Sequence, residues 1–336
     1  MRLKIKKSDS FKFSKKYLDL IPKSRVYDVA NKTPITFAAN LSSKLKNDVF
    51  LKREDMQPIF SFKIRGAYNK IANLNPQQQK RGVITASAGN HAQGVANACK
   101  KLKVPCFIVM PVTAPEIKVK SVKRFGSKVL LHGDNFDQAS KKARQMGKEQ
   151  KLEFIEAFDD PLTIAGQGTV GKEILDEHND LDVIFVPVGG GGLLAGISAW
   201  AAQTQKKTKI YGVEVEDSAC LVEAIKADKR VRLREVGLFA DGVAVERIGK
   251  NNFDVIRECV DGVITVSIDE LCAAVKDIFE DTRVLSEPAG ALALAGLKKY
   301  ATKISNKRLL AISSGANVNF ERLSYIVERS EVGENR

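Results

Sequence analysis

The chain has 336 residues, 44% of them hydrophobic and 28% charged, a composition typical of a globular protein long enough for two domains. Five cysteines without a C-x-x-C pair and only three histidines argue against a disulfide framework and against a Cys/His metal cluster. They favour a reducing, cytoplasmic compartment, and no apolar run reaches the roughly 18 residues that a membrane helix needs.

Basic residues are concentrated at the N-terminus. Residues 1–25 contain nine Lys or Arg against two Asp, which is half of the net charge of +14. We interpret this segment as a basic arm exposed to solvent. The rest of the chain lacks the interleaved aromatic and basic residues of RNA-binding proteins, so we expect no nucleic-acid partner.

Lys63 lies in an apolar and aromatic setting, Ile-Phe-Ser-Phe-Lys-Ile-Arg-Gly over residues 59–66. A lysine held partly out of water has a lowered proton affinity and can form a Schiff base with a carbonyl compound. A lysine at the start of a core-facing helix can also extend its ammonium group to solvent without any chemical role. The local sequence leaves both interpretations open.

A second unusual segment, Thr-Ala-Ser-Ala-Gly-Asn-His-Ala-Gln-Gly over residues 85–94, follows a short apolar run and precedes a helical pattern that extends to Leu102. Small residues at a turn between a strand and a helix leave unpaired N–H groups that suit a carboxylate. The alternative is an ordinary helix N-cap.

Short apolar runs alternate with amphipathic stretches through the remainder of the chain. The runs are 106–110, 128–132, 153–158, 182–188, 209–215 and 308–313. Strands separated by helices of this length predict an α/β fold in which helices cover parallel sheets.

Four consecutive glycines, Gly189 to Gly192, follow one of these runs and precede a helical pattern. Glycines let the backbone wrap closely around an oxyanion, and the helix N-terminus adds positive dipole, so the loop predicts a phosphate site. No Lys-Ser or Lys-Thr follows, which argues against a nucleoside triphosphate. Gly190, Gly192 and Ala195, with Glu214 on the next strand, also fit a degenerate dinucleotide fingerprint.

The combination of these features distinguishes between the two phosphate ligands. Pyridoxal 5'-phosphate needs a Schiff-base lysine, a phosphate site and a place for the substrate carboxylate. A nicotinamide enzyme has no evident use for Lys63 or for the turn at residues 85–94. We therefore predict a pyridoxal-phosphate enzyme with a small-molecule amino-acid substrate, and keep an NAD-dependent oxidoreductase as the alternative.

Seven segments resemble the fold-type II pyridoxal-phosphate enzymes, and specifically the biosynthetic threonine dehydratases, in the order of that family. They are residues 61–68, 87–94, 189–193, 213–221, 241–245, 287–292 and 314–319. The resemblance runs from about residue 26 to the C-terminus. It implies two open parallel-sheet domains of the tryptophan synthase β type. Residues 26–75 and 159–325 would form a large cofactor-binding domain, and residues 76–158 a small inserted domain.

The same resemblance implies roles for individual residues toward the cofactor. Lys63 would bind the cofactor covalently and, once released, remove the substrate Cα proton. Phe62 would pack on the cofactor ring, Asn90 would hydrogen-bond its phenolic oxygen, and Ser314 would face the pyridine nitrogen. Backbone N–H groups would hold the phosphate at Gly189, Gly190, Gly191, Gly192 and Leu193. The substrate carboxylate would lie against Ser87, Ala88, Gly89, Asn90 and His91.

The residue type at position 314 bears on the reaction. A hydroxyl tends to leave the pyridine nitrogen neutral, which favours prompt loss of a β-leaving group over transamination. The resemblance implies conversion of L-threonine to 2-oxobutanoate and ammonia in isoleucine biosynthesis, with L-serine as a further substrate. No residue sizes the pocket for the substrate methyl group, so a serine-preferring dehydratase stays open. Glu287 lies either near the cofactor ring or in a structural salt bridge.

Two positions depart from the related serine racemases. Ala88 stands where those enzymes have a serine that acts as a second base, so we expect elimination without racemisation. Those enzymes also bind a divalent cation through two acidic side chains at positions that match Glu214 and Cys220. Because Cys220 removes one carboxylate, we expect no metal.

The C-terminal residues 326–336 resemble a truncated lead-in to the isoleucine-sensing regulatory domain of the biosynthetic enzymes. The chain ends there, so we expect catalysis without isoleucine feedback. Members of the family commonly form dimers or tetramers, and we expect a homo-oligomer.

Overall fold

Two open sheets organise the chain in a computed structural model that describes residues 1–5, 7, 11–114, 116–205 and 207–334. The strands are β1 (Arg2–Lys4), β2 (Ile35–Phe37), β3 (Asp48–Arg53), β4 (Val83–Ala86), β5 (Cys106–Met110), β6 (Lys128–Leu131), β7 (Glu153–Phe154), β8 (Val183–Pro187), β9 (Lys209–Val215), β10 (Gly262–Val266) and β11 (Arg308–Ser313). The first seven helices are α1 (Tyr17–Leu20), α2 (Ala39–Leu45), α3 (Lys63–Ala72), α4 (Pro76–Arg81), α5 (Asn90–Leu102), α6 (Glu116–Lys123) and α7 (Phe136–Glu149). The others are α8 (Pro161–Glu177), α9 (Gly192–Thr204), α10 (Cys220–Lys226), α11 (Lys250–Cys259), α12 (Ile268–Thr282), α13 (Pro288–Ala301) and α14 (Leu323–Glu334).

The larger sheet has the strand order β1-β10-β9-β8-β11-β3-β2 among the described residues. Its central strands are parallel, whereas β1 and β2 pair antiparallel at the two edges. Strand β8 is buried along its whole length, as a continuous apolar run in a helix-covered parallel sheet requires. The glycines that follow β8 therefore lie at the carboxyl edge of the sheet, where ligands bind in open α/β folds.

The smaller sheet has the order β6-β5-β4-β7 among the described residues, and all of its strands are parallel. Its strands fall within residues 83–154, inside the segment that the sequence assigns to an inserted domain. The predicted α/β class with two open parallel sheets is confirmed. The boundaries at residues 76 and 158 stay a prediction. No described helix is both long enough and apolar enough to span a membrane.

The structure differs from the expected solvated arm at the N-terminus. Strand β1 adds an antiparallel edge to the large sheet, and the Arg2 guanidinium lies 4.4 Å from the centre of the Tyr300 ring. Tyr17 and Ile21 are buried in the main core. The charge count was misleading because these apolar side chains decide the packing of the segment. Positions 6 and 8–10 of the predicted arm lie outside the described residues.

A fully buried charge network fixes the helix that begins at Lys63. Arg65 donates to Glu54 at 2.8 Å and to Glu173 at 2.6 Å, and Lys52 lies 2.7 Å from Glu173. Two cations and two carboxylates thus neutralise one another between β3, α3 and α8. The network ties the first turn of α3 to the large sheet, because removing one partner would leave the others charged and out of water.

We predict that Arg65→Met lowers the free energy of unfolding by about 3–5 kcal/mol, since it leaves Glu54 and Glu173 buried with one cation fewer. Denaturant titration followed by circular dichroism measures the change. Lys120→Met, which removes a surface partner of Glu116, is the control and should leave the unfolding midpoint unchanged. Equal midpoints for the two variants would contradict the assigned role of the network.

Candidate active site

A short antiparallel bridge between Ser61 and Gly315 brings the Lys63 segment against the end of β11. The Phe62 N–H donates to the Ser314 carbonyl at 3.2 Å, and the Ala316 N–H donates to the Phe60 carbonyl at 2.9 Å. Lys63 and Ser314, which lie far apart in the sequence, are therefore neighbours. The bridge also places the Phe62 ring in the same cleft.

Lys63 is half-buried at the N-terminus of α3. Its Nζ atom donates to the Ala157 carbonyl at 3.2 Å and lies 5.1 Å from the centre of the Phe62 ring. Burial lowers the pKa of the Lys63 amine from its usual 10.5 to about 8, while the Glu287 carboxylate acts in the opposite direction. The amine is therefore a far better nucleophile near neutral pH than a solvated lysine.

The predicted anion turn lies between β4 and α5, with α5 beginning at Asn90. The Gly89 N–H donates to the Ser87 hydroxyl at 3.1 Å, and a Cβ atom added at Gly89 would meet no atom within 4 Å. Ala88 is half-buried and packs on the core beneath the turn. The turn is thus ordered and faces open space, as a carboxylate site on a helix N-terminus requires.

The His91 side chain points away from this space. Its Nε2 atom lies 3.0 Å from the Ile155 carbonyl, and the residue is buried. Burial, followed by the nearby Lys63 charge, lowers the pKa of His91 to about 3, so the ring is neutral. Only the backbone of His91 is available for the predicted substrate contact.

Asn90 is held between two side chains from the other end of the chain. Its Nδ2 donates to Glu287 Oε1 at 2.5 Å, and its Oδ1 accepts from Asn317 Nδ2 at 2.7 Å. Burial, with a smaller contribution from Asp241, raises the pKa of Glu287 to about 7. Among the described residues, Glu287 binds this amide and forms no ion pair. The sequence left two roles open for Glu287, a place near the cofactor ring or a structural salt bridge, and this contact favours the first.

The glycine loop shows why no side chain is tolerated in it. Gly191 has a φ of +90°, and a Cβ at Gly190 would overlap the Phe158 ring. A Cβ at Gly192 would lie 2.5 Å from Gln167 Oε1 and 2.9 Å from the Phe158 carbonyl. The loop leads into α9, a 13-residue helix whose N-terminal N–H groups face it. The glycines are therefore required by close packing against Phe158 and Gln167. The loop, which we call the cradle, lies at a helix N-terminus and has backbone N–H groups of the kind that a phosphate site uses.

Leu193 and Ser314 are both buried beside the cradle and the cleft. Leu193 is part of the main core, so only its backbone N–H can serve a phosphate. The Ser314 hydroxyl donates to the Ala289 carbonyl at 3.3 Å at the start of α13. A neutral hydroxyl, and no carboxylate, therefore occupies the position expected to face a pyridine nitrogen.

Sequence reasoning missed three amides and a strip of backbone at this site. The missed amides are Asn317, Gln167 and Asn252. Asn317 lay within a motif that carried the resemblance, whereas the other two are single polar residues inside α8 and α11 without a local signal. The backbone strip is residues 155–158. Its Ile155 carbonyl contacts the His91 ring, its Ala157 carbonyl accepts from Lys63, and its Phe158 carbonyl accepts from Asn252.

The environment of Glu214 argues against the alternative interpretation of the glycine loop as a dinucleotide site. This residue has no exposed surface, and its two carboxylate oxygens accept from the Leu221 and Val222 N–H groups at 2.8 and 2.9 Å. Burial raises the pKa of Glu214 to about 8. A carboxylate so enclosed cannot reach a ribose hydroxyl, which the dinucleotide fingerprint requires.

Comparison with known families and structures agrees with this site. A family model described as pyridoxal-phosphate dependent enzyme matches residues 26–315. The chain belongs to the pyridoxal-phosphate-dependent enzymes, and pyridoxal phosphate is the cofactor of this family. The cradle, the Lys63 amine and Asn90 are compatible with that cofactor, since they offer backbone N–H groups at a helix N-terminus, a nucleophile and an amide.

Curated relatives share about half of their aligned residues with this chain. Over 320 residues the chain is 53% identical to the biosynthetic L-threonine dehydratase IlvA of Pasteurella multocida, covering 95% of this chain and 62% of that protein. The Escherichia coli enzyme of the same name is 51% identical over 322 residues, with 95% and 63% covered. The chain thus spans under two thirds of the length of these relatives.

Solved structures show the same fold. The processed form of threonine deaminase isoform 2 from Solanum lycopersicum superposes with a TM-score of 0.96 at 42% identity, covering 99% of this chain and 92% of that one. Maize serine racemase gives a TM-score of 0.86 at 30% identity, with 95% and 98% covered.

We predict that Gly192→Ala weakens binding of pyridoxal phosphate by about tenfold or more, equivalent to about 1.4 kcal/mol. The added Cβ would meet the Phe158 carbonyl, a backbone atom that cannot easily move aside. Absorbance titration of the cofactor-free protein measures the dissociation constant. Gly89→Ala, where the new Cβ meets open space, is the matched control and should keep the wild-type value; equal affinities for the two variants would refute the cradle.

Proposed function

We propose that this chain dehydrates and deaminates L-threonine to 2-oxobutanoate and ammonia, and acts more slowly on L-serine. The observation that carries the proposal is the position of the Lys63 amine: it donates to the Ala157 carbonyl, next to the Phe158 that packs on the cradle, and its helix contacts α5 just behind the anion turn. Relatives about half identical to this chain are threonine dehydratases, which supports this substrate over other amino acids.

Bound pyridoxal phosphate supplies a reactive aldehyde and an electron-accepting ring. Lys63 would provide the nitrogen that binds the aldehyde, and its free amine would remove the substrate Cα proton. A pKa of about 8 suits this work, because an amine so tuned can both accept and release a proton near neutral pH. Phe62 would pack on one face of the cofactor ring, and Asn90, whose orientation is fixed by Asn317 and Glu287, would donate to the phenolic oxygen.

The substrate carboxylate binds the N–H groups of residues 87–91. Open space beside Gly89 and the dipole of the 13-residue helix α5 support this placement. A carboxylate held there orients the Cα–H bond toward Lys63 for proton removal. The position of the departing hydroxyl then decides between loss of water and exchange of the proton.

Ser314 and Ala88 favour loss of water. A hydroxyl at position 314 would leave the ring nitrogen of the bound cofactor neutral, a state that favours loss of the β-hydroxyl over accumulation of negative charge. Ala88 offers no base on the opposite face, and we therefore propose elimination without racemisation. Isoleucine biosynthesis, a cytoplasmic location and a homo-oligomeric assembly accompany this proposal as predictions.

Steady-state kinetics with the two hydroxy amino acids test the substrate. We expect kcat/KM for L-threonine to exceed that for L-serine by about 10- to 200-fold, the range that one methyl group can contribute. Coupled detection of the 2-oxo acid measures both rates. A ratio in favour of serine would instead establish the serine-preferring dehydratase.

Replacing the proposed nucleophile tests the mechanism. We predict that Lys63→Ala abolishes turnover of L-threonine and the visible absorbance of the bound cofactor, while the circular dichroism spectrum stays unchanged. The exposed Lys100→Ala variant is the control and should retain both properties. Turnover by Lys63→Ala at a rate near wild type would rule out Lys63 as the base.

A further inference from the structure

The carbonyl of Ala157 is shared by two donors. Lys63 Nζ donates to it at 3.2 Å, and Gln167 Nε2 donates to it at 3.3 Å. Gln167 is only 1% exposed, so its amide has no access to bulk water. The carbonyl that holds the reactive amine is therefore itself held by a buried side chain.

The Gln167 side chain has little freedom to leave this position. A Cβ at Gly66 would lie 3.0 Å from Gln167 Cγ, and a Cβ at Gly166 would lie 2.7 Å from the Arg65 carbonyl. Helices α3 and α8 are thus in backbone contact along this line. Because α3 also carries Lys63 at its first residue, the two donors to Ala157 belong to one rigid pair of helices.

A second amide, Asn252, makes a parallel contact one residue further along the chain. Its Nδ2 donates to the Phe158 carbonyl at 3.1 Å and to the Gly190 carbonyl at 2.7 Å. Consecutive carbonyls are therefore held by different amides. Gln167 acts on the carbonyl that faces the lysine, and Asn252 acts on the one that faces the glycine loop.

Among the described residues, the oxygen of each amide, Gln167 Oε1 or Asn252 Oδ1, is buried and has no hydrogen-bond partner. Buried amide oxygens without partners are uncommon and each calls for an explanation. Both residues donate through their nitrogen to the strip at residues 157 and 158. The contacts with this strip thus give each buried amide a partner for its nitrogen, whereas its oxygen has none.

We propose that Gln167 is a positioning residue for the base. It fixes the Ala157 carbonyl, which directs the Lys63 nitrogen and accepts an N–H from it after the amine has taken up the Cα proton. The role in proton removal rests on the proposed function. The placement of the lysine by this carbonyl does not depend on any substrate.

Kinetics of Gln167→Met test the first part, because methionine has a similar size but no donor. We expect kcat for L-threonine to fall by about 10- to 100-fold, since small misplacement of a reacting group has effects of this size. KM and the affinity for pyridoxal phosphate should stay within about twofold. The isotope effect on kcat with Cα-deuterated threonine should increase, because proton removal becomes slower than the other steps.

Asn252→Leu is the matched comparison. It removes the donor from the neighbouring carbonyl and from the glycine loop, so we expect weaker binding of pyridoxal phosphate and an unchanged isotope effect. A merely structural role for Gln167 would give both variants the same pattern.

Chemical labelling of the cofactor-free protein tests the placement without any turnover. Acetic anhydride acylates neutral amines, and mass spectrometry compares Lys63 with the exposed Lys303 in the same sample. A carbonyl acceptor favours the ammonium form, so displacement of the unfixed Ala157 carbonyl from Lys63 in Gln167→Met should raise the labelling rate of Lys63 by about threefold or more. The rate in Asn252→Leu should equal that of the wild type.

Two results would overturn the proposal. The first is an unchanged labelling rate together with a wild-type kcat in Gln167→Met. The second is a loss of cofactor affinity with unchanged labelling, which would assign Gln167 to the cradle. If Gln167→Met does not fold, Gln167→Leu, which also has no donor and carries no charge, replaces it; failure of both to fold would assign Gln167 to the scaffold alone. Because labelling involves no substrate, it decides the placement even if L-threonine is not converted.

Discussion

Partial removal of the Lys63 amine from water is the constraint on which the site depends. Burial lowers its pKa to about 8 although the Glu287 carboxylate acts in the opposite direction. An amine in such a place needs a polar contact that does not restore its full basicity, and the neutral Ala157 carbonyl provides one. A nearby carboxylate in direct contact would keep the lysine charged and unreactive. The amine therefore has a neutral carbonyl as its hydrogen-bond partner and, among the described residues, no carboxylate in direct contact.

Arg65 shows the opposite arrangement on the same turn of helix α3. It is fully buried, yet contact with Glu54 and Glu173 keeps its pKa above the usual arginine range. Burial opposes the charge of both Lys63 and Arg65, and the difference between them comes from their partners. Paired carboxylates make Arg65 a structural cation that anchors the helix. Their absence beside Lys63 leaves that residue able to exchange protons, and the anchored helix holds it in position.

Features encoded by neighbouring residues could be predicted from the sequence. The apolar setting of Lys63 and the run Gly189–Gly192 each indicated a chemical role, and the structure places the two against consecutive residues, Ala157 and Phe158. Gln167 could not be found in this way, because a single amide in an apolar helix has no distinctive pattern and gains meaning only from a partner on another element. The packing of residues 1–25 could not be predicted for a related reason. Its lysines dominate the composition, whereas a few apolar side chains such as Tyr17 decide how the segment packs.

The backbone strip at residues 155–158 is a further feature of the site that no local sequence pattern encodes. Its carbonyls contact His91 below the anion turn, the proposed base Lys63, and Asn252 beside the glycine loop. Segments that lie far apart in the sequence thus share one short stretch of backbone, where the chain leaves strand β7 of the small sheet and enters helix α8. Every residue carries a carbonyl, so no residue type marks this function and no motif could reveal it. The geometry of the base therefore depends on how the chain passes between the two sheets, and a shift of the small sheet would reach Lys63 through Ala157.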